Sequence, residues 1–247
     1  MNDRPGWGGL SNVVWRARVP TLSWLLDVLL PRHCLVCGVG SGGESLCRAC
    51  RAELPWQDPG ACPRCGLPGD GRGLLCGTCQ RHPPAFDSTL AAFRYQFPVD
   101  RLIQGVKYGQ RLDALAFLAE SLGMTIPRHG GEVDLIVPMP LHPRRLADRG
   151  FNQAAEVARR VSRCTGIPWA ADALVRDRDT PPQVALPWRA RLANVRGAFR
   201  CTHDLTGRRV ALVDDVMTTG ASLHEAARAV KSRGAKSVCS WVVARTP

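Results

Sequence analysis

The sequence predicts an α/β fold, with a mainly parallel sheet flanked by helices and a small cysteine-rich module in front of it. Eight of the 11 cysteines lie between residues 34 and 79, so the chain divides into two unlike parts. After residue 83, apolar runs alternate with amphipathic helical patterns, which is typical of a parallel sheet. The 247 residues are 45% hydrophobic and 22% charged, which indicates a folded chain and excludes disordered and coiled-coil classes.

Residues 1–31 are expected to contain one amphipathic helix that ends at Pro31. Its apolar positions follow helical spacing and are Leu22, Leu25, Leu26, Leu29 and Leu30. We interpret this helix as one that docks on protein, with a membrane-surface or partner-binding helix as the alternative. No apolar run reaches the roughly 18 residues of a membrane span, and no signal-peptide cleavage site follows. We therefore expect no transmembrane segment and a cytoplasmic chain with reduced thiols.

Residues 32–82 contain four Cys-x-x-Cys pairs. A Cys-x-x-Cys turn places two thiolates on one side of a tight loop, and two such turns complete a tetrahedral zinc site. The segment therefore predicts two zinc ions, and both are structural because four thiolates leave no open coordination position. The predicted ligands are Cys34, Cys37, Cys47, Cys50, Cys62, Cys65, Cys76 and Cys79.

The spacing leaves the pairing of these turns open. Sequential sites, in which the first two pairs share one zinc and the last two share another, are favoured over a cross-brace because shorter loops lose less entropy on closing. Disulfides are not favoured, since no secretion signal supplies an oxidising compartment. Gly38 and Gly66 each follow the second cysteine of a pair and are expected to adopt positive φ there.

Residues 83–247 are expected to form the α/β domain. Strands are predicted over 133–137, 210–213 and 237–244, and helices over 154–161 and 223–230. The continuous apolar run Val210–Val213 is typical of a strand that is buried on both faces. Ligands of such sheets bind beyond the carboxyl ends of the strands, so the residues that follow Val213 are the first candidates for a site.

Two adjacent carboxylates, Asp214 and Asp215, follow that strand. They repel each other at the edge of a buried strand, and the vicinal hydroxyls of a ribose are ligands that would donate to both. The next residues lead into a helix whose N-terminus is suited to a phosphate, and Ser222 with Glu225 also fits a capping box. The predicted phosphate-binding residues are Val216, Met217, Thr218, Thr219, Gly220, Ala221 and Ser222.

This segment resembles the 5-phosphoribosyl-1-diphosphate (PRPP) motif of the type I phosphoribosyltransferases, so the resemblance implies a phosphoribosyltransferase-like sheet. It also implies that Asp214 and Asp215 are the catalytic carboxylates that bind the ribose hydroxyls, and that residues 216–222 hold the 5′-phosphate. No G-x-x-x-x-G-K-[ST] and no G-x-G-x-x-G after a strand occurs, which argues against a P-loop or a dinucleotide site.

The stretch 137–153, together with Thr180-Pro181-Pro182-Gln183 and the residues up to Phe199, resembles the ComF family of competence-associated proteins. A cysteine tract before a phosphoribosyltransferase-like domain is the layout of that family. The resemblance implies that Arg149 and Gly150 form the diphosphate loop. It implies that Lys107, in a Lys-Tyr motif before the first sheet strand, reaches the diphosphate. It also implies a mobile flap that bears Thr180, Gln183, Arg191 and Asn194.

These features predict a Mg²⁺-dependent PRPP-binding protein, a phosphoribosyltransferase of unknown acceptor, which the family resemblance links to competence, DNA uptake or DNA utilisation. One alternative is a non-enzymatic protein that binds single-stranded DNA through its zinc ribbons and its net charge of +12, with the PRPP pocket as a sensor. Another is an adaptor whose N-terminal helix and zinc module dock a partner of the competence machinery, such as a helicase. Aromatic residues are only 6%, so platforms for base stacking are few.

Overall fold

The structure, a computed structural model, describes residues 33–69, 71–109, 111–126, 133–178 and 194–247. The predicted helix at Leu22–Leu30 lies outside these residues, as do Thr180, Gln183 and Arg191 of the predicted flap. The helices are α1 (Arg48–Ala52), α2 (Gly77–Arg81), α3 (Val99–Gly109), α4 (Leu112–Thr125), α5 (Pro143–Arg149), α6 (Gln153–Thr165) and α7 (Ala221–Lys231). The strands are β1 (Ser88–Arg94), β2 (Leu135–Pro138), β3 (Leu174–Arg176), β4 (Phe199–Cys201), β5 (Arg209–Met217) and β6 (Ser237–Arg245).

The central sheet has four strands in the order β1-β6-β5-β2, and all three pairings are parallel. Strands β3 and β4 form a separate antiparallel pair. The predicted parallel α/β architecture is therefore confirmed, and β2, β5 and β6 lie where the apolar runs indicated. Because parallel strands end at one edge, the carboxyl ends of β5, β6 and β2 share the edge where a ligand is expected.

Strand β1 was missed by the sequence analysis. It pairs with β6 in register Leu90↔Trp241, and its small apolar residues Ala91 and Ala92 give a weak strand signal. Lys107 consequently follows the first sheet strand instead of preceding it, so the expected position of the Lys-Tyr motif in the chain order was wrong.

Each face of the sheet is covered by one half of the cysteine module as well as by helices. One core cluster joins Cys34 and Leu46 of the first half to α3, α4 and α6. The other joins Cys62 and Cys65 of the second half to α7 and the β3–β4 pair. Alternate residues of β5 belong to alternate clusters, as the period of a strand requires. The cysteine-rich segment thus wraps one edge of the domain and is part of both cores.

Among the described residues, no helix combines the length and the apolarity that crossing a membrane requires.

An ion pair joins the beginnings of β2 and β5. The Asp134 carboxylate accepts hydrogen bonds from Arg209 at the backbone N–H (2.9 Å), at Nε (3.0 Å) and at Nη2 (2.7 Å). The Arg209 side chain, with help from its backbone N–H, holds the pKa of Asp134 well below its usual range. A lowered native pKa stabilises the fold above the unfolded pKa of about 3.9, and this contribution is lost as the pH falls through the native pKa.

We therefore expect Asp134→Asn to lower the free energy of unfolding by about 1–2 kcal/mol at neutral pH. Urea titrations of both proteins at neutral pH and near pH 3 measure the difference. The gap between wild type and variant is expected to shrink at the lower pH, because the Asp134 carboxylate of the unfolded chain then binds a proton while the native carboxylate stays ionised. A gap that stays constant with pH would show that the ionised pair contributes nothing.

Candidate functional site

The eight predicted ligand cysteines form two clusters of four. Residues 34, 37, 47 and 50 make the first cluster, and residues 62, 65, 76 and 79 make the second. Within each cluster all four Sγ atoms lie within 4.8 Å of one another. The grouping is sequential, as favoured above, and Gly38 and Gly66 have the expected positive φ of 74° and 68°.

The clusters fit tetrahedral zinc. A Zn–S bond of about 2.3 Å in a tetrahedron separates the sulfurs by about 3.8 Å. The Cys37–Cys47 and Cys65–Cys76 sulfurs are 3.8 and 3.7 Å apart. In each cluster the third cysteine directly precedes a short helix, since α1 begins after Cys47 and α2 begins after Cys76. The described cysteines form no disulfides, so all eight thiols are available as ligands.

The thiols of each cluster shift one another's pKa values. Burial alone would raise the pKa of Cys34, but backbone N–H groups that donate to its sulfur lower it to about 6. Burial and the neighbouring thiols raise the pKa of Cys50 to about 12. The second cluster repeats the contrast, with the pKa of Cys62 lowered to about 7. Four close thiolates repel one another, so a divalent cation is needed before all of them can ionise together.

Asp214 and Asp215 lie near the carboxyl end of β5, which extends to Met217 and so beyond the predicted end at Val213. Both side chains are partly exposed. The Asp215 carboxylate forms an ion pair with Lys107 of α3, with 2.9 Å between Nζ and Oδ2. The structure therefore brings together the carboxylates and the lysine that the sequence analysis assigned to one site.

This acidic pair perturbs the ionisation of its own groups. Burial and the charge of Asp215 raise the pKa of Asp214 to about 8, against the opposing effect of Lys107. Burial alone would lower the pKa of Lys107, but the charges of Asp215 and Asp214 raise it above its ordinary value. The site holds a proton near neutral pH that a ligand with hydroxyl donors or a cation would displace.

The Thr218–Gly220 loop, residues 218–220, connects β5 to α7. Gly220 is the N-cap of α7 at φ 76°, a conformation that favours glycine, and a Cβ there would lie 2.7 Å from Cε at the flexible end of Met217. The Thr219 hydroxyl accepts a hydrogen bond of 3.4 Å from the Ala221 N–H. The first N–H groups of a helix have no partners within the helix, so this loop opens onto a ready-made anion site.

The capping box predicted for Ser222 and Glu225 is wrong. Ser222 lies inside α7, and the Gly220 cap makes no side-chain hydrogen bond. Glu225 instead accepts bonds from the Gly197 N–H (3.1 Å) and from Arg228 Nη1 (3.2 Å). Because Gly197 lies near the C-terminal end of the segment 180–199 that is predicted to form the flap, Glu225 anchors that end to α7. Asn194, the one proposed flap residue that the structure describes, begins this anchored segment.

The predicted diphosphate loop connects α5 to α6. Arg149 ends α5, and Gly150 follows it in the left-handed region at φ 80°. The Arg149 guanidinium donates to Gln153 Oε1 at 2.9 Å, and Asn152 caps α6 by accepting from the Ala154 N–H at 3.0 Å. The Asn152 amide also donates to the Met139 carbonyl at 3.0 Å, which ties the turn to the end of β2. The loop thus follows the strand beside β5.

A cavity of about 810 Å³ lies on the other side of β5, between the second cysteine cluster and the Thr218–Gly220 loop. Its lining residues include Leu67, Pro84, Phe86, His224 and Arg245. His224 Nδ1 accepts from the Ala85 N–H at 3.1 Å, and burial lowers the pKa of His224, so the neutral ring presents Nε2–H. The sequence analysis singled out none of these five residues as site residues.

Two family patterns match the chain. The double zinc ribbon domain matches residues 25–80, and the phosphoribosyl transferase domain matches residues 112–247. The second match covers more than half of the chain and contains β5, α7 and the predicted diphosphate loop.

Full-length relatives give the same assignment. The chain is 33% identical over 239 residues to the DNA utilization protein YhgH of Escherichia coli K12, covering 92% of this chain and 98% of that protein. It is 29% identical to Competence protein F of Haemophilus influenzae, with 82% and 91% covered. It is 26% identical to Competence protein ComFC of Bacillus subtilis, with 82% and 85% covered. The chain therefore belongs to the ComF family, in which a double zinc ribbon precedes a phosphoribosyltransferase domain.

Proposed function

We propose that the chain binds PRPP with Mg²⁺ and transfers its phosphoribosyl group to an acceptor that neither sequence nor fold identifies. The observation that carries the proposal is the Lys107–Asp215 ion pair of 2.9 Å beside Asp214, directly before a loop that opens onto a helix N-terminus. To bind a ribose phosphate, a protein needs acceptors for the ribose hydroxyls and, close by, donors for the phosphate. Asp214 and Asp215 supply the first, and the start of α7 supplies the second.

The carboxylates suit the sugar and its cation. Carboxylate oxygens accept hydrogen bonds from the 2′ and 3′ hydroxyls, and they are also the ligands that Mg²⁺ prefers together with phosphate oxygens. Bound Mg²⁺ would supply charge neutralisation for the departing diphosphate. Lys107 already lies on Asp215, so a second anion held there would share the lysine with the carboxylate and lie close to the sugar.

The phosphates are assigned to two separate elements. Residues 216–222 would hold the 5′-phosphate through the N–H groups at the start of α7 and the Thr219 hydroxyl. Arg149 and the Gly150 turn would hold the diphosphate at the end of β2, once the Arg149 guanidinium exchanges Gln153 for a phosphate oxygen. The reaction is then a displacement at the anomeric carbon, in which diphosphate leaves with the bonding electrons and the acceptor forms the new bond.

Calorimetry of the zinc-loaded full chain with PRPP, in the presence and absence of added Mg²⁺, tests the proposal. We expect saturable binding that needs Mg²⁺ and that weakens at least about 100-fold in Asp215→Asn, which loses a charged hydrogen-bond acceptor and a cation ligand. Mg²⁺ must be omitted and not chelated, because a chelator would also remove zinc. The matched control is Asp172→Asn, since the Asp172 side chain is 83% exposed. Absence of binding by folded wild-type protein would refute the proposal.

We further propose that the activity serves DNA uptake or DNA utilisation in the cytoplasm. The supporting observations are the names of the relatives and the grouping of eight thiols in two clusters of four, which a reducing compartment preserves. Single-stranded DNA and a competence-machinery protein such as a helicase are the partners this role would involve. Direct DNA binding, supported by the net charge of +12, predicts an affinity for a single-stranded oligonucleotide that falls steeply with salt. An affinity for the oligonucleotide that is absent or does not change with salt would argue against direct DNA binding and favour the adaptor role.

A further inference from the structure

One buried arginine connects the second cysteine cluster to the loop that precedes α7. Arg245, the last residue of β6, is only 4% exposed. Its Nε donates to the Cys65 carbonyl at 2.8 Å, and its Nη1 donates to the carbonyls of Met217 at 3.2 Å and Thr218 at 2.5 Å. A single guanidinium therefore holds a backbone atom of a metal-ligand turn and two backbone atoms at the start of the Thr218–Gly220 loop.

The turn that Arg245 contacts is itself fixed to the sheet. Thr89 of β1 donates to this turn twice, from its N–H to the Pro63 carbonyl at 2.9 Å and from its hydroxyl to the Arg64 carbonyl at 2.7 Å. A Cβ at Gly66 would lie 3.2 Å from Thr89 Cγ2 and 3.6 Å from Arg245 Cγ, so the turn packs closely against both strands. In the metal-loaded protein, the position of the Cys65 carbonyl would follow from how the Cys62–Cys65 turn closes around the ion.

The first cluster has no comparable connection among the described residues. It lies on the opposite face of the sheet, where Arg111 Nη1 donates to the Leu35 carbonyl at 3.3 Å. Arg111 is the N-cap of α4, and the other hydrogen bonds that it donates run to Gly105 and Asp113, not to residues 216–222. The two clusters have the same kind of ligands, four cysteines each, but their backbone atoms contact different parts of the domain.

Buried backbone carbonyls keep one arrangement only while their donors are in place, and a bond to a charged donor is stronger than a neutral one. If the Cys62–Cys65 turn opens, Nε of Arg245 loses its acceptor, and the guanidinium is held only through Nη1, by Met217, Thr218 and Thr246. The loop carbonyls of Met217 and Thr218 then lose the rigid partner that sets their direction. The N–H groups that follow them point at the anion site, so loop order and anion affinity change together.

We propose that Arg245 is a positioning residue through which the metal of the second cluster, and not that of the first, sets the order of the Thr218–Gly220 loop. The effect on loop order does not depend on the ligand. The effect on phosphate affinity rests on the proposed PRPP binding, so the two are measured separately.

Hydrogen exchange of residues 216–222 in the ligand-free, zinc-loaded chain is the first measurement. Arg245→Met is expected to raise the exchange rate of these amides at least about tenfold while the protein retains two zinc ions. Arg245→Lys keeps one donor and is expected to fall between wild type and Arg245→Met. The matched control is Arg159→Met, which removes a half-buried arginine bonded to Glu156 on α6 and is expected to leave the loop unchanged.

Selective metal loss keeps the proposal falsifiable if Arg245→Met does not fold. Cys76→Ser removes a ligand of the second cluster and is expected to loosen residues 216–222, whereas Cys37→Ser removes a ligand of the first and is not. Equal loosening by both variants, or protection of the loop in Cys76→Ser, would overturn the proposal. Calorimetry with PRPP tests the proposed function separately. If Cys76→Ser loosens the loop but the wild-type protein never binds PRPP, only the proposed function is refuted.

Discussion

Removal of zinc is expected to unfold the cysteine module and to weaken the whole domain. The purified chain should contain two zinc ions, and a strong chelator should abolish its cooperative thermal transition or lower its midpoint by tens of degrees. The expected size follows from the binding energy of structural zinc, on the order of 10–16 kcal/mol in small fingers. Metal analysis, circular dichroism and calorimetry of the same samples measure both effects.

The effect reaches beyond the module because both clusters are built into the sheet's cores. Cys34 and Leu46 pack with α4 and α6 on one face, and Cys62 and Cys65 pack with α7 on the other. Without zinc, burial and the neighbouring thiols favour the protonated form of Cys50 and raise its pKa to about 12. Zinc binding therefore releases protons, and the affinity for zinc is expected to fall as the pH is lowered.

Single-ligand variants separate the two sites. Because the clusters are sequential and independent, Cys37→Ser and Cys76→Ser should each retain one zinc ion per chain. Loss of both ions from either variant would contradict independent sites. A chelated protein that kept its cooperative unfolding transition would contradict the structural role of the metals.

Asp214→Asn is expected to abolish PRPP binding and yet to stabilise the ligand-free fold. The carboxylate sits beside Asp215 in a partly buried position, so its charge costs stability that only a ligand offsets. We expect affinity to fall at least about 100-fold and the free energy of unfolding to rise on the order of 1–3 kcal/mol at pH 8. Calorimetry with PRPP and urea titrations without it give the two quantities.

The pH dependence of the unfolding free energy shows whether the Asp214 charge lowers the stability of the fold. A native pKa raised to about 8, against about 3.9 in the unfolded chain, means that the native state binds more protons between these values. Wild-type stability therefore declines as the pH rises through this window, and Asp214→Asn lacks that decline. The advantage of the variant should be smallest near pH 4 and largest near pH 8.

The control for this experiment is again Asp172→Asn, whose side chain is 83% exposed and lies 3.8 Å from His203. It should leave the affinity for PRPP unchanged. A variant Asp214→Asn that is less stable than wild type at pH 8 would contradict the electrostatic account of the acidic pair. One that still binds PRPP normally would remove Asp214 from the proposed site.

The features that depend on local spacing, namely the thiolate clusters, strand β5, the acidic pair and the start of α7, could be predicted from the sequence. The four Cys-x-x-Cys turns specify two thiolate clusters because each turn brings its own sulfurs together, and Gly38 and Gly66 supply the backbone conformation that this requires. The apolar run of β5 and the following Asp214, Asp215 and Gly220 identified a strand, an acidic pair and a helix start. Each of these is encoded within about ten residues.

The contacts between residues that are distant in the sequence could not be predicted in this way, because they depend on the tertiary fold. Strand β1 forms because β6 offers it a partner, although Ala91 and Ala92 carry little strand preference of their own. Lys107 reaches Asp215, and Arg245 reaches both Cys65 and Thr218, through the order of strands at one sheet edge. Turn chemistry and periodicity act between near neighbours, whereas these contacts depend on how strands are ordered and which face each element covers.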